Sequence, residues 1–199
     1  IAGARRTKDD KSRQGYTIIG EPLIVRSPND ASVGYSQTTG KIGADYALSK
    51  TSMVYATLST GYKSGGFNDG TGTSNPFLIY DPENLTALEV GVKGRFLNGR
   101  LNTSASAFGY DYKNLQLTSV VTDAFGAVSA QTRNAARASV RGGELEGKYA
   151  ATSSDRISFA LTYLDAHYKQ YMPLPTSDWS GRRLDRSPKT SLSLGYTHN

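Results

Sequence analysis

The chain offers two histidines, no cysteine and scattered carboxylates as its candidates for covalent or metal chemistry. Neither His167 nor His198 has an HExxH context, and neither sits in a Cys/His cluster, so both are expected to be exposed rim side chains and not zinc ligands. Glu144 and Glu146 fall on one face of an alternating segment, as a general acid–base pair would require. Lys148 shares that face, however, and a charged wall is the simpler account. Gly65-Gly66 and Gly70-Thr71-Gly72 have no helix after them and so cannot cradle a phosphate. Asp69-Gly70, with Asn68 and Ser74, resembles a calcium loop but has too few carboxylates for the spacing. No catalytic constellation, metal site or cofactor site is expected. The chemistry that remains is recognition by aromatic and cationic side chains.

The elements that would carry such side chains read as strands. Glu83 to Val121 is the clearest stretch. Leu88, Val90, Val92 and Phe96 alternate with Glu89, Gly91, Lys93 and Arg95, which gives one apolar and one charged face. Asn98-Gly99 marks a hairpin, because a type I′ turn needs positive φ at both central residues. The chain then returns through Leu101, Thr103, Ala105 and Ala107 with no proline or turn signal until about Thr122. From Leu85 to Phe96 the strand would span roughly 40 Å, or about 28 Å of height at a tilt near 45°, close to a bilayer's hydrocarbon core. The returning strand, about twenty residues, is several times the usual soluble length. Lipid on the apolar side and a polar filling on the other would suit it. Alternation alone does not distinguish this from a soluble sandwich with the apolar side inward.

Composition narrows the choice. No apolar run approaches the length of a membrane helix; Leu23-Ile24-Val25 is typical, so any crossing would be made by strands. A mean hydropathy of −0.46 is compatible with that, since a barrel strand offers every second residue to lipid. The formal net charge of +6 is spread among Asp and Glu, with Arg5-Arg6 and Arg182-Arg183 the doublets, so no nucleic-acid stripe is formed. Absence of Cys excludes disulfide frameworks. The opening IAGARRTKDDK has no apolar core and does not read as a signal peptide.

Along the chain, residues 1 to 8 read as the end of a strand, and Asp9 to about Ser32 as a loop, broken at Gly15, Gly20, Pro22 and Pro28, with a short strand at Tyr16 to Ile19. Tyr35 to Leu48 alternates Ile42, Ala44, Tyr46 and Leu48 with Lys41, Gly43, Asp45 and Ala47. Met53 to Lys63 returns with faces that its pattern leaves unassigned. After a Gly-, Asn- and Pro-rich loop at 64–84 comes the hairpin above. A loop centred on Asp123-Ala124-Phe125-Gly126 then leads to a strand from about Val128 to Ala151, with a bulge expected at Gly142-Gly143. Here Leu145, Gly147 and Tyr149 oppose Glu144, Glu146 and Lys148. Arg156 to Tyr168 follows with Ile157, Phe159, Leu161 and Tyr163 on one face. A loop with Pro173, Pro175, Trp179 and Gly181 precedes a last strand, Ser187 to His198, carrying Leu192, Leu194 and Tyr196. Short connections at 49–51, 98–99 and 153–155 alternate with long ones at 9–32, 64–84 and 172–186, with 122–127 intermediate. Outer-membrane barrels show this asymmetry between periplasmic turns and extracellular loops. It puts Tyr46, Phe96, Tyr149 and Tyr196 on the apolar face near the periplasmic end, as an aromatic girdle would be. Gly-Tyr recurs at 15, 34, 61, 109 and 195, a periodicity common in repetitive β architectures.

Several segments then resemble a known family. They are Tyr55-Ala56-Thr57, Gly61-Tyr62-Lys63-Ser64-Gly65-Gly66-Phe67-Asn68, Glu83-Asn84-Leu85, Glu89-Val90-Gly91-Val92-Lys93 and Asn98-Gly99-Arg100-Leu101. Ala107-Phe108-Gly109-Tyr110-Asp111-Tyr112, Asn134-Ala135-Ala136, Arg141-Gly142-Gly143-Glu144-Leu145-Glu146, Arg183-Leu184 and Ser187-Pro188 continue the series. Together, over residues 35 to 199, they are similar in order and spacing to the barrel of TonB-dependent outer-membrane receptors. The resemblance implies an all-β, antiparallel transmembrane barrel of about 22 strands with a plugged lumen. It also implies active uptake of scarce ligands, above all ferric siderophores, through a Gram-negative outer membrane. The partners it implies are outer-membrane lipid, the protein's own plug domain, an inner-membrane energy-coupling complex and a small-molecule iron chelate. About eight strands are read in residues 1–199, without a plug, an energy-coupling box or a terminal aromatic strand. The chain is therefore expected to be an internal barrel segment with two unpaired edges.

On that resemblance, Leu88, Val90, Val92, Phe96, Leu145, Tyr149, Ile157, Phe159 and Leu161 would face lipid. Glu89, Lys93, Arg95, Glu144, Glu146 and Lys148 would face the lumen and plug. The ligand mouth would draw on Trp179, Arg182, Arg183, Tyr62, Lys63, Phe67, Tyr110 and Tyr112, and also on Phe77, Tyr168 and Tyr171, whose rings and guanidinium groups suit catecholate or hydroxamate chelates. Trp179 and Arg182 rank first. The rival readings are a small structural or adhesive outer-membrane barrel that transports nothing and a soluble carbohydrate-binding sandwich.

Overall fold

The computed structural model describes residues 1–19, 25–68, 77–122, 128–173 and 176–199. Regular structure there is strand throughout: β1 (Ala2–Arg13), β2 (Tyr16–Ile19), β3 (Val25–Pro28), β4 (Ala31–Ser49), β5 (Ser52–Lys63), β6 (Gly66–Phe67), β7 (Ile79–Tyr80), β8 (Glu83–Phe96), β9 (Leu101–Thr122), β10 (Val128–Ala150), β11 (Asp155–Tyr171) and β12 (Thr190–His198). Eight of them form one antiparallel sheet in the order β1-β4-β5-β8-β9-β10-β11-β12, while β2-β3 and β6-β7 are small hairpins within the long connections. Among the described residues β1 and β12 pair with no further strand on their outer sides, so the sheet is open.

Proline stands just outside the long strands, at Pro82 before β8 and Pro173 after β11, where a missing ladder donor does no harm. Within the sheet the register fixes the faces. Phe96 pairs with Leu101, Leu101 with Tyr149, Tyr149 with Ile157 and Ile157 with Tyr196. Val92, Ala105, Leu145, Leu161 and Leu192 make a second such row, which Val54 and Tyr46 extend toward β4. Partners in a row share a face. Leu58 and Ile42 join Leu88 in the same way, which assigns the faces that the pattern of β5 alone leaves open. Phe96, Tyr149 and Tyr196 thus lie in one hydrogen-bonded row, and Tyr46 lies in the row of Val92.

The turns alternate in length. At 97–100, Leu97, Asn98 and Gly99 all have positive φ, 55°, 55° and 86°, and the Gly99 and Arg100 amides donate to the Phe96 and Leu97 carbonyls at 3.1 and 3.2 Å, so Asn98-Gly99 turns the chain as its signal requires but within a four-residue connection, not a two-residue one. The other short connections are 50–51 and 151–154, whereas β1–β4, β5–β8 and β11–β12 are joined by long ones.

Four expectations are corrected. The ladder runs without interruption through Gly142 and Gly143; the register shifts fall at Asn134/Ala136 and Ala136/Ala138 against β9 and at Arg137/Ala138 against β11. Gly142 is small for another reason: a Cβ there would come 2.6 Å from Phe108 Cζ and 2.6 Å from the Tyr163 carbonyl. The supposed 9–32 loop is partly sheet, since polar Asp9 to Arg13 pairs with 31–35 of β4. Likewise β11 runs on to Tyr171 and β12 starts at Thr190. In each case the ladder, and not side-chain polarity, sets the strand end. Gly20, Pro22, Leu23-Ile24, the candidate loops at Asp69-Gly70-Thr71-Gly72 and Ser74, the turn at Asp123-Ala124-Phe125-Gly126 and Pro175 lie outside the described residues.

Candidate functional site

The two faces of the sheet differ in chemistry. On one, Leu88, Val90, Phe96, Leu145, Ile157 and Leu161 are exposed, together with Ile42, Tyr46, Leu58, Leu192, Leu194 and Tyr196; Leu88 is 52% and Leu192 65% accessible. Among the described residues no second layer covers them. Val92, Tyr149 and Phe159 share this face half-buried. Phe159 lies across Gly147, and Arg100 lies over Tyr149 at 5.3 Å from the ring centroid. Among the described residues this apolar face packs into no dry interior between two sheets.

The other face is polar. The register sets Glu89 beside Phe108, Gly91 beside Ser106 and Glu144, Lys93 beside Ser104 and Glu146, and Arg95 beside Asn102 and Lys148. Tyr55, opposite Gly91, donates its hydroxyl to Glu89 Oε1 at 2.6 Å and carries Lys93 Nζ 5.0 Å from its ring centroid. Gly91 makes room for that ring, since a Cβ there would lie 2.7 Å from it. Ser104 donates to Glu146 at 2.9 Å. Near the short turns an open groove of about 1000 Å³ is lined by Lys93, Arg95, Ser104, Glu146 and Lys148.

Above these charges the same face becomes aromatic. Phe108 and Tyr110 stack with centroids 5.0 Å apart. Tyr112 pairs with Ala138, and Ala138 with Tyr168, so a fully buried alanine separates the two tyrosines. Tyr168, Tyr171, Ala136 and Ala138 form a buried cluster against which Tyr112, Leu115, Leu117, Trp179 and Leu184 pack. The segment 179–184 is laid back along β11 by backbone bonds: Trp179 N to Tyr171 O, Gly181 N to Tyr168 O and Leu184 N to Ala166 O, at 2.7 to 3.0 Å. Gly181, at φ +81°, supplies the left-handed step this needs. Trp179 meets Tyr171 edge-on at 5.7 Å and bonds Ser177 through Nε1 at 2.9 Å, and the Arg182 guanidinium lies 4.9 Å from its ring. In the same loop Ser180 donates to Asp178, which holds that carboxyl below its usual range.

The structure therefore packs Trp179 and Tyr112 on the buried Tyr168 and Tyr171, with Arg182 over the Trp179 ring, while Tyr110 lies on the same face beside them, stacked on Phe108. It does not bring Arg183 there. Arg183 bridges to His167, and its guanidinium is held by the carbonyls of Ser187 at 2.6 Å and Leu164 at 3.5 Å. Tyr62 instead donates to Asp9 at 2.6 Å, Lys63 is exposed beside Glu83, Phe67 pairs with Ile79 in the β6-β7 hairpin, and Phe77 lies under Arg133 at 3.7 Å.

Sequence reasoning missed the groups that hold the rim. Asn68, 3% accessible, donates to the carbonyls of Phe77 and Thr132 at 2.7 and 2.8 Å and accepts from Thr132 N at 2.7 Å. Gln116 Nε2 donates to Ser64 O and Asp81 O at 3.0 Å, and Asn134 exchanges two bonds with Asp81. Arg13 and Lys11 of β1 donate to the carbonyls of Asn68 and Gly65. These side chains tie residues 64–68 and 77–81, the described ends of the connection between β5 and β8, to β1, β9 and β10. A buried amide in a strand carries no signal that distinguishes it from a solvated one, because backbone groups far along the chain, such as those of Thr132 for Asn68 and Ser64 for Gln116, are among its partners.

An open apolar face, a charged opposite face and one-ended long loops define the wall of an outer-membrane β-barrel. The chain belongs to the TonB-dependent receptors: the family model described as TonB dependent receptor-like, beta-barrel, matches residues 1–199. It is accordingly a Gram-negative outer-membrane protein. The pesticin receptor of Yersinia enterocolitica is 28% identical over 152 residues, 75% of this chain and 21% of that protein. The metal-pseudopaline receptor CntO of Pseudomonas aeruginosa is 30% identical over 156 residues, 78% of this chain and 20% of that protein. The fold matches the ferric yersiniabactin uptake receptor FyuA from Yersinia pestis with a TM-score of 0.76 at 19% identity, covering 99% of this chain and 28% of that one. It matches the copper transporter OprC with a TM-score of 0.73 at 17% identity, covering 100% of this chain and 30% of that one. The chain thus spans about a fifth of the length of the curated relatives it matches.

Proposed function

We propose that these strands are consecutive staves in the wall of a larger barrel that imports a metal chelate, with a ferric siderophore the leading candidate, and that they contribute part of its ligand mouth. The observation that carries this reading is the ledge of Tyr112, Trp179 and Arg182, seated on the buried Tyr168 and Tyr171 with Tyr110 beside it, on the face opposite the open apolar band at the long-loop end. Flat rings and a guanidinium bind chelates with conjugated faces and net negative charge by stacking and charge pairing. The names of the relatives support the same class of cargo: yersiniabactin, metal-pseudopaline and copper.

In this reading Leu88, Val90, Val92, Phe96, Leu145, Tyr149, Ile157, Phe159 and Leu161 meet acyl chains. Glu89, Lys93, Arg95, Glu144, Glu146 and Lys148 face the lumen and a plug domain, with energy supplied by an inner-membrane complex. The full-length receptor should bind ferric chelates with quenching of Trp179 fluorescence, and its deletion should abolish growth on the matching chelate as sole iron source. Unchanged growth on every ferric and cupric chelate tried would leave a non-transporting barrel as the better account.

A further inference from the structure

Just above the open apolar band, the same face of the sheet carries a patch with more cations than carboxylates. Ten residues from Leu101, Tyr149 and Ile157 along β9, β10 and β11 stand Asp111, Ser139 and His167, which pair across the sheet. Ten residues make roughly 33 Å of strand, or about 23 Å of height at a 45° tilt, which reaches the upper edge of an apolar band about 25 Å tall. Arg141 lies one pair below this level, between Gly109 and Asp165, in the row that includes exposed Leu88. Lys113, Arg137 and Lys169 lie just above it. Arg137 is exposed between Ala136 and Ala138, which are buried on the opposite face.

The two carboxylates of the patch are already engaged. Asp111 takes Lys169 Nζ at 2.5 Å, and Asp165 takes His167 Nδ1 at 2.9 Å. Lys113, Arg137 and Arg141 are exposed and form no ion pair among the described residues. Lys113 and Arg137 stand in the field of Asp111 together with Lys169, so the cations converge from three strands. A Cβ on Gly109, beside Arg141, would meet nothing within 4 Å, which leaves a notch in the wall there.

We infer that Lys113, Arg137 and Arg141 form a binding site for the phosphates of a lipid headgroup in the outer leaflet. The inference rests on the outward orientation of the apolar band proposed above. Long cationic side chains at this depth place their stems against acyl chains and their charges at the phosphate level. The acyl chains of the same lipid would lie along Leu88, Leu145 and Leu161. The bisphosphorylated glycolipid of the Gram-negative outer leaflet has this chemistry, two phosphates over several acyl chains.

The test titrates that glycolipid into the full-length receptor in uncharged detergent and follows bound lipid by native mass spectrometry. Its dephosphorylated form and inorganic phosphate serve as the comparison ligands. Affinity for the bisphosphorylated form should fall roughly fivefold for each of Lys113→Gln, Arg137→Gln and Arg141→Gln. Arg141→Lys should retain most of it. Where one of these variants does not run as a heat-modifiable barrel, the remaining single variants give the same comparison. Equal binding by wild type and single variants, equal binding of the dephosphorylated lipid, or inorganic phosphate binding as tightly as the lipid would each overturn the site. A nitroxide at Val90 separates this failure from that of the underlying orientation: oxygen-accessible but water-inaccessible Val90 keeps the apolar band in lipid, whereas a water-accessible label removes that premise.

Discussion

The guanidinium carbon of Arg182 lies 4.9 Å from the centre of the Trp179 ring, with Tyr171 meeting the same indole edge-on from the other strand of the loop. The pair is held by backbone bonds to Tyr168 and Tyr171, so it is fixed before any ligand arrives. Arg182→Ala should weaken chelate binding by about fivefold, corresponding to a cation–π contact of about 1 kcal/mol, while Trp179→Ala should cost more because it also unpacks Tyr171. Equilibrium titration of the full-length receptor with the ferric chelate, alongside Arg183→Ala as a comparison outside the ledge, checks this. A larger loss at Arg183 than at Arg182 would contradict the placement.

Val90 is 46% accessible on the open face, and Lys93 lies on the other. Val90→Arg should destabilise the barrel in bilayers by about 2 to 4 kcal/mol, because an arginine near the midplane must draw water or phosphate inward. Lys93→Gln should change stability by well under that. Urea unfolding of both variants in lipid vesicles measures the difference, and equal effects would mean that the faces are assigned wrongly.

Asn68→Ala leaves the Thr132 amide and two carbonyls without their partner in a buried setting. Each such orphan costs about 1 to 3 kcal/mol unless water enters. The expected outcome is a locally opened 64–81 connection with an intact sheet, seen as faster amide exchange and new proteolytic cuts confined to that segment. Protection that is unchanged there would mean that the loop is held elsewhere.

Gly142→Ala puts a methyl 2.6 Å from the Phe108 ring and the Tyr163 carbonyl, whereas Gly109→Ala enters open space. The first should lower stability by about 1 to 3 kcal/mol through overpacking, and the second should be close to neutral. Thermal melts of the two variants in detergent decide between this and a bulge at Gly142-Gly143, which would accept alanine readily.

Sequence periodicity carried the strands because it is local: a period of two in Leu88 to Phe96 or Glu144 to Tyr149 depends only on which neighbours alternate. The Asn98-Gly99 turn was legible for the same reason, as its two positive φ angles are a property of those residues. The strand ends at Arg13, Ala31 and Tyr171 were not legible, since a polar segment becomes sheet when a neighbouring ladder offers it partners.

Residue types and spacing by themselves determined the antiparallel all-strand plan, the split of Leu88, Val90 and Val92 from Glu89 and Lys93, and the aromatic and arginine content of the long loops. Only the tertiary structure decided which of those side chains meet. Trp179 reaches Tyr171 and Arg182 because 179–184 folds back along β11, Arg183 departs to the His167 side, and Asn68 and Gln116 turn inward to carbonyls some fifty or more residues away. The physical reason is that alternation is set by the backbone within one strand, whereas register, and with it every cross-strand contact, is set by hydrogen bonding between segments that the sequence does not order.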